Sequence, residues 1–426
     1  MLALIIFLVL IVLILIGSPI AVALGVSSTG IFALLGEAGN LPIFAQRLYA
    51  ATTGYTLLAI PFFILAGNLM NTGGITNRIF RFAKASVGHR WGGLGQVNVI
   101  ASVIFSGMSG AAVADAAGLG MVEIKAMTEN GYDKNFSAAI TAASSTIGPV
   151  IPPSIPFVIY GVMTGVSVSS LFLAGFVPGI LMAVSMIVVV YFISKKRKYP
   201  RQPKASFKEK WISFKGAFLS LLTPIIIIGG ILSGKFTPTE AAVVACVYAL
   251  FLSMIVYKEI KLKDLYQILK TTVLHTVKTM FIIAVAGFFG WFLTYLKLPQ
   301  MIITSLTAIT TNPTALILII IGVLVALGCF LEGISVLLIT IPVFMPIINQ
   351  IGMNPIQFGV VMILASMIGL LTPPVGMCLY AVASISDVKI AILSKEVLPY
   401  IIGIFIVLLL IAFIPQLSLF IPGLFM

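Results

Sequence analysis

Apolar stretches of about 20 residues recur along the whole chain, each long enough to cross a hydrocarbon core as a helix. The pattern predicts helices near 1–16 and 18–35, one near 49–71, and two near 217–233 and 238–257. A further helix runs from 278 to about 296, and a final long one covers 398–424. Charge collects between these runs in three segments, 73–92, 194–216 and 258–278. Within the first, Arg78, Arg81 and Lys84 recur every three residues opposite Ile75, Ile79 and Phe82, which suits a helix lying in the membrane interface. Its counterpart in the second half, 299–311, is uncharged. The stretches SFKE at 206–209 and TPTE at 237–240 read as capping boxes, so Glu240 is a helix cap.

Two interruptions stand out. STIGPVIPPSIP at 145–156 holds four prolines, and SMIGLLTPPVGM at 366–377 repeats the Gly-x-x-x-Pro-Pro frame. Proline removes a backbone donor, and lipid offers no water to satisfy the freed carbonyls. The prolines either kink two helices or open carbonyl cages, around 148–151 and 369–372, that suit a hard cation such as Na+. A small-residue-rich stretch precedes each break. The first, 95–122, has its tip near SGMSGAA and carries Asp115; the second, 314–347, carries Glu332 beside Gly333. Both read as re-entrant hairpins, tolerated only where protein or a water-filled cavity buries them. A carboxylate at membrane depth is either a functional group or a packing residue bonded to nearby amides.

Composition settles the class. With 60% hydrophobic and 9% charged residues, this is a polytopic membrane protein. The net charge of +13 sits in segments flanking apolar runs, so it marks cytoplasmic loops against anionic lipid rather than a nucleic-acid surface. Crossing counts then place the N-terminus outside, the first hairpin entering from inside and the second from outside. The polar stretch 123–134 is expected in water. The fold class is all-α, an inverted repeat with two re-entrant hairpins and two broken helices. Scaffold helices occupy 1–48 and the first repeat 49–193, with its broken helix at 135–165. A basic connector with scaffold helices spans 194–278, and the second repeat spans 279–426, with its broken helix at 356–384. The first helix has no basic leader or small-x-small cleavage site and is expected to be retained. Cys246, Cys329 and Cys378 lie at unrelated spacings and read as packed thiols, and His89 and His275 as interfacial residues. No metal-ligand spacing, nucleophile–base pair or phosphate loop suggests an enzyme.

Four stretches, 57–79, 90–120, 131–161 and 169–181, resemble the large membrane subunit of tripartite ATP-independent periplasmic (TRAP) transporters. The resemblance covers nearly the whole chain. It implies Na+-coupled secondary import of an organic acid by an elevator mechanism, in the bacterial inner membrane. It also implies a small membrane subunit, here a separate chain, and a soluble periplasmic substrate-binding protein. One Na+ site would take oxygens from Ser106, Ser109, Gly148, Ile151 and Pro153, the other from Gly328, Gly369, Thr372 and Val375. Asp115 and Glu332 would line the substrate site with Ser109, Thr372, Pro152 and Pro373. The substrate is a sialic acid or a C4-dicarboxylate, with hydroxyl-rich acids suiting a carboxylate-lined cavity better. Arg47 is either a docking contact for the soluble partner or an interface anchor. A stand-alone Na+–dicarboxylate symporter and a channel remain the alternatives.

Overall fold

The computed structural model describes residues 2–37 and 42–425, with backbone alone at 2–4, 15, 37, 106–109, 306–307 and 309. Among the described residues there are twenty α-helices and no strand. Seven helical segments are long and apolar enough to cross a bilayer. α1 (Leu2–Leu15) and α2 (Ile20–Phe32) pack as an opening hairpin, turned at Gly17 with φ +92°. α3 (Pro42–Ala50) carries Arg47 in its last turn. α4 (Ala59–Thr72) leads to α5 (Ile75–Val87), whose Ile75, Ile79 and Ala83 are buried against its neighbours while Arg81 is exposed.

The rest of the first half follows the expected order. α6 (Gly93–Ser109) and α7 (Ala112–Glu129) form a hairpin, α8 (Lys134–Ser145) and α9 (Ile155–Thr164) are the two pieces of a broken helix, and α10 (Val168–Lys196) closes. α11 (Phe207–Leu232) and α12 (Pro238–Phe251) follow, and each starts with its capping box, Ser206/Glu209 and Thr237/Glu240. In the second half α13 (Leu262–Tyr295) and α14 (Leu298–Ile309) precede a hairpin of α15 (Pro313–Gly328) and α16 (Gly333–Ile351). α17 (Pro355–Gly369) and α18 (Met377–Ser386) are the second broken helix, followed by α19 (Ile390–Phe413) and α20 (Gln416–Phe425).

The two halves interlock. α9 packs on α16 and α18 on α7; α8 packs on α19 and α17 on α10; α6 packs on α8 and α15 on α17. Each contact has its counterpart with the halves exchanged. In lipid, such contacts are held by close packing rather than by expulsion of water. Aromatic rings supply some of it, with Phe32 of α2 edge-on to Phe288 and Phe292 of α13 at 6.2 and 5.9 Å between centroids.

Three expectations need correction. The basic segment 258–278 is no loop from 262 onward, because it is the first half of α13, 34 residues long. At ~1.5 Å per residue that helix spans about 51 Å, well beyond a core of about 30 Å, so its lysines lie outside the apolar stretch. The final helix is broken between Phe413 and Gln416. Pro415 has no N–H for the Ile411 carbonyl, and the Gln357 side-chain amide supplies donors instead, 2.9 Å from that oxygen and 3.0 Å from the Ala412 oxygen. The stretch 123–134 is not uniformly in water, since Glu123 is 1% exposed on the inner face of α7.

Candidate functional site

Each hairpin tip seats against its own broken helix. At the first, the chain reverses through Gly110, φ +61°, the C-cap of α6. A Cβ on Gly110 would lie 3.1 Å from the Ile155 backbone nitrogen, so only glycine permits this approach. At the second, a Cβ on Gly369 would lie 2.4 Å from the Gly328 Cα, and the Gly376 amide donates to the Cys329 carbonyl at 3.0 Å. Gly328 and Gly369, assigned to one site by resemblance, are therefore brought into backbone contact.

The first break is buried throughout: every residue from 136 to 161 is buried. The Ile147 carbonyl accepts from Val150 and Ile151, and the Ser154 hydroxyl donates to the Pro149 carbonyl. Among the described residues the carbonyls of Gly148 and Ile151 accept no hydrogen bond, leaving two oxygens free to serve as ligands. The second break differs. The Gly369 carbonyl already accepts from the Thr372 amide at 2.9 Å, and the Thr372 hydroxyl donates to the Ile368 carbonyl at 2.7 Å. Pro373 and Pro374 are exposed, and Thr372 and Val375 half-buried.

Asp115 lies in the first turn of α7 and faces the first break, its Oδ2 2.7 Å from where a Gly148 Cβ would be. Glu332 is the N-cap of α16, accepting from the Ile334 amide at 3.1 Å. Cys378, buried on α18, hydrogen-bonds to Ser145 and lies within electrostatic reach of both carboxylates. α18, which carries Cys378, packs on α7 and α8 of the first half. Pro152 instead lines an apolar pocket of about 200 Å³ with Phe172, Phe176 and Ile227. The side chains of Ser106 and Ser109 lie outside the described residues.

Sequence reasoning missed two polar groups. Asn98 of α6 donates to the Thr141 hydroxyl at 2.7 Å and accepts from Ser144, tying the hairpin arm to α8. Glu123 is buried, with Oε1 lacking a hydrogen-bond partner among the described residues. Cys378 is buried, as a packed thiol should be. Asn98 could have been found, as an amide inside an apolar run facing a Thr/Ser-rich helix. His89 is half-buried; burial and then Lys210, Lys204 and Arg90 push its imidazole below its ordinary value. Among the described residues no three His, Cys, Asp or Glu side chains group as metal ligands, so carbonyl and hydroxyl oxygens are the candidate donors.

Known proteins share this arrangement. A family model for the tripartite ATP-independent periplasmic transporter, DctM component, matches residues 7–417. The chain is 47% identical over 395 residues to the sialic acid TRAP transporter large permease protein SiaM of Vibrio cholerae, covering 93% of this chain and 92% of that one. It is 39% identical over 390 residues to the C4-dicarboxylate TRAP transporter large permease protein DctM of Pseudomonas aeruginosa, covering 92% and 91%. In fold it is similar to the YdaH transporter of Alcanivorax borkumensis, with a TM-score of 0.66 and 14% identity over 88% of each chain. A family match over nearly the whole length, on a helical bundle with two hairpin-capped breaks, assigns the protein: it belongs to the tripartite ATP-independent periplasmic transporter family, as a DctM-type large permease.

Proposed function

We propose that this permease imports an organic acid anion together with Na+, receiving the anion from a soluble periplasmic binding protein and working beside a small membrane subunit. A permease of this family is a multi-pass membrane protein and not an enzyme. The observation that carries the reading is the pair of hairpin-capped breaks, with Asp115 facing the first and Glu332 capping α16 at the second tip. Carboxylates alone repel an anionic cargo. Bound Na+ offsets that repulsion, and hydroxyls on the cargo can donate to carboxylate oxygens. A sialic acid therefore suits the site better than a bare dicarboxylate, and the higher identity to SiaM points the same way.

Na+ is cargo here, not a resident cofactor. Gly148 and Ile151 would hold one ion through their unengaged carbonyls, with Ser106, Ser109 and Pro153 as the further ligands that the family resemblance assigns. Gly328, Gly369, Thr372 and Val375 would hold a second. The two hairpins and broken helices would move as one body against α2, α4, α12 and α13, an elevator motion, with the N-terminus on the outer face. Uptake of a radiolabelled sialic acid into proteoliposomes tests the whole reading. Uptake should need a Na+ gradient, the small subunit and the binding protein. Na+-independent uptake would remove the coupling, and robust uptake without a binding protein would mark a stand-alone symporter.

A further inference from the structure

A cavity of about 680 Å³ lies between α13 on one side and α16 with the end of α9 on the other. Its size is in the range that holds a small organic ligand. Among the described residues Arg47 is the one charged side chain that lines it, and Thr164, Thr294 and Asn349 add neutral polar groups. α3 holds Arg47 in place because it packs on α13 at Gly287, where a Cβ would lie 2.3 Å from that of Ala51. The guanidinium carbon sits 5.3 Å from the Trp291 ring centroid. A ring contact engages the flat face of a guanidinium and leaves its N–H edge for a carboxylate. The cavity follows α16 inward from Asn349 to Leu338. Leu338 is about 9 Å along the axis from Glu332, at ~1.5 Å per residue, so the cavity points toward the second hairpin tip.

We propose that this cavity is an anion-receiving vestibule in which Arg47 makes the first contact with the carboxylate of an arriving organic acid. The inference rests on the reading that acid anions are the cargo. A single fixed cation beside low-dielectric walls concentrates anions at the mouth, and the Arg fork matches a carboxylate. On the proposed topology the mouth opens to the outer face.

The test uses Asn349→Cys in membranes carrying the whole transport complex, with a negatively charged sulfonate thiol reagent and a positively charged ammonium reagent of similar size. The native cysteines are buried, which keeps the background low. With Arg47 present the anionic reagent should be favoured. Arg47→Gln should lower the anionic rate and raise the cationic rate, each by up to about fivefold, the effect of one charge at contact distance in water, so their ratio falls by up to about 25-fold, and Arg47→Lys should restore most of it. In uptake, Arg47→Gln should raise KM for the acid several-fold at unchanged kcat. An unchanged labelling ratio, or an unchanged KM, overturns the vestibule. The labelling needs no transported acid, so it separates failure of the vestibule from failure of the cargo reading.

Discussion

A pair of glycines sets how closely the second hairpin can approach its broken helix. Gly369→Ala would push a methyl into the Gly328 backbone, which cannot rotate away, whereas Gly322→Ala meets nothing within 4 Å. We expect Gly369→Ala to lower thermal stability in detergent, by about 1–3 kcal/mol. Gly322→Ala should be neutral or slightly stabilising, and equal melting temperatures for the two would contradict the contact. Gly148→Ala is a different case, since its methyl would meet the movable Asp115 carboxylate. It should preserve the fold and impair transport. The carboxylates themselves are tested by Asp115→Ala and Glu332→Ala. Each should abolish or strongly reduce uptake while the protein still inserts. Wild-type rates in both would make them packing residues. Asp115→Asn should retain more activity if hydrogen bonding matters, and no more than Ala if charge does.

Elements were legible where the backbone breaks a rule, and illegible where it keeps one. The Gly-x-x-x-Pro-Pro frames announced both broken helices, because a proline pair removes two consecutive backbone donors, whereas single prolines such as Pro178, Pro224 and Pro399 sit inside unbroken helices. The capping boxes at Ser206 and Thr237 announced two helix starts, because both hydrogen bonds of the box are local. α13 was misjudged because lysines spaced along 261–278 look like a loop, yet they are compatible with a helix that outruns the bilayer. Glu123 was misjudged because charged neighbours, Lys125 and Glu129, face outward while it faces in. The break before α20 depends on Gln357, 54 residues upstream of Ile411, and no local pattern reveals such a pairing. It makes a sharp prediction. Gln357→Leu leaves the Ile411 carbonyl without its donor inside the protein and should cost about 1–3 kcal/mol, read as a lower melting temperature. Smaller ties act across the halves too. The Arg197 guanidinium grips Glu396 through two contacts of 2.9 and 2.8 Å, and that carboxylate raises it above its ordinary value.

Across the whole molecule, exchange of the halves in three pairs of interlocking contacts fits two units of opposite orientation. Single cysteines at Asn130 and Asn354, each just outside a hairpin arm, should therefore label from opposite faces of the membrane. Labelling of both from one face would sink the inverted arrangement. The two breaks are alike in sequence frame but unlike in surroundings. The first is enclosed from 136 to 161, and the second reaches the surface at Pro373 and Pro374. On the Na+ reading proposed above, that contrast separates two exchange rates, with an ion in the enclosed first loop exchanging more slowly than one in the open second loop. Isotope exchange of bound 22Na+ should then show a fast and a slow phase of comparable size. A single phase would mean that burial of the first loop does not slow its exchange.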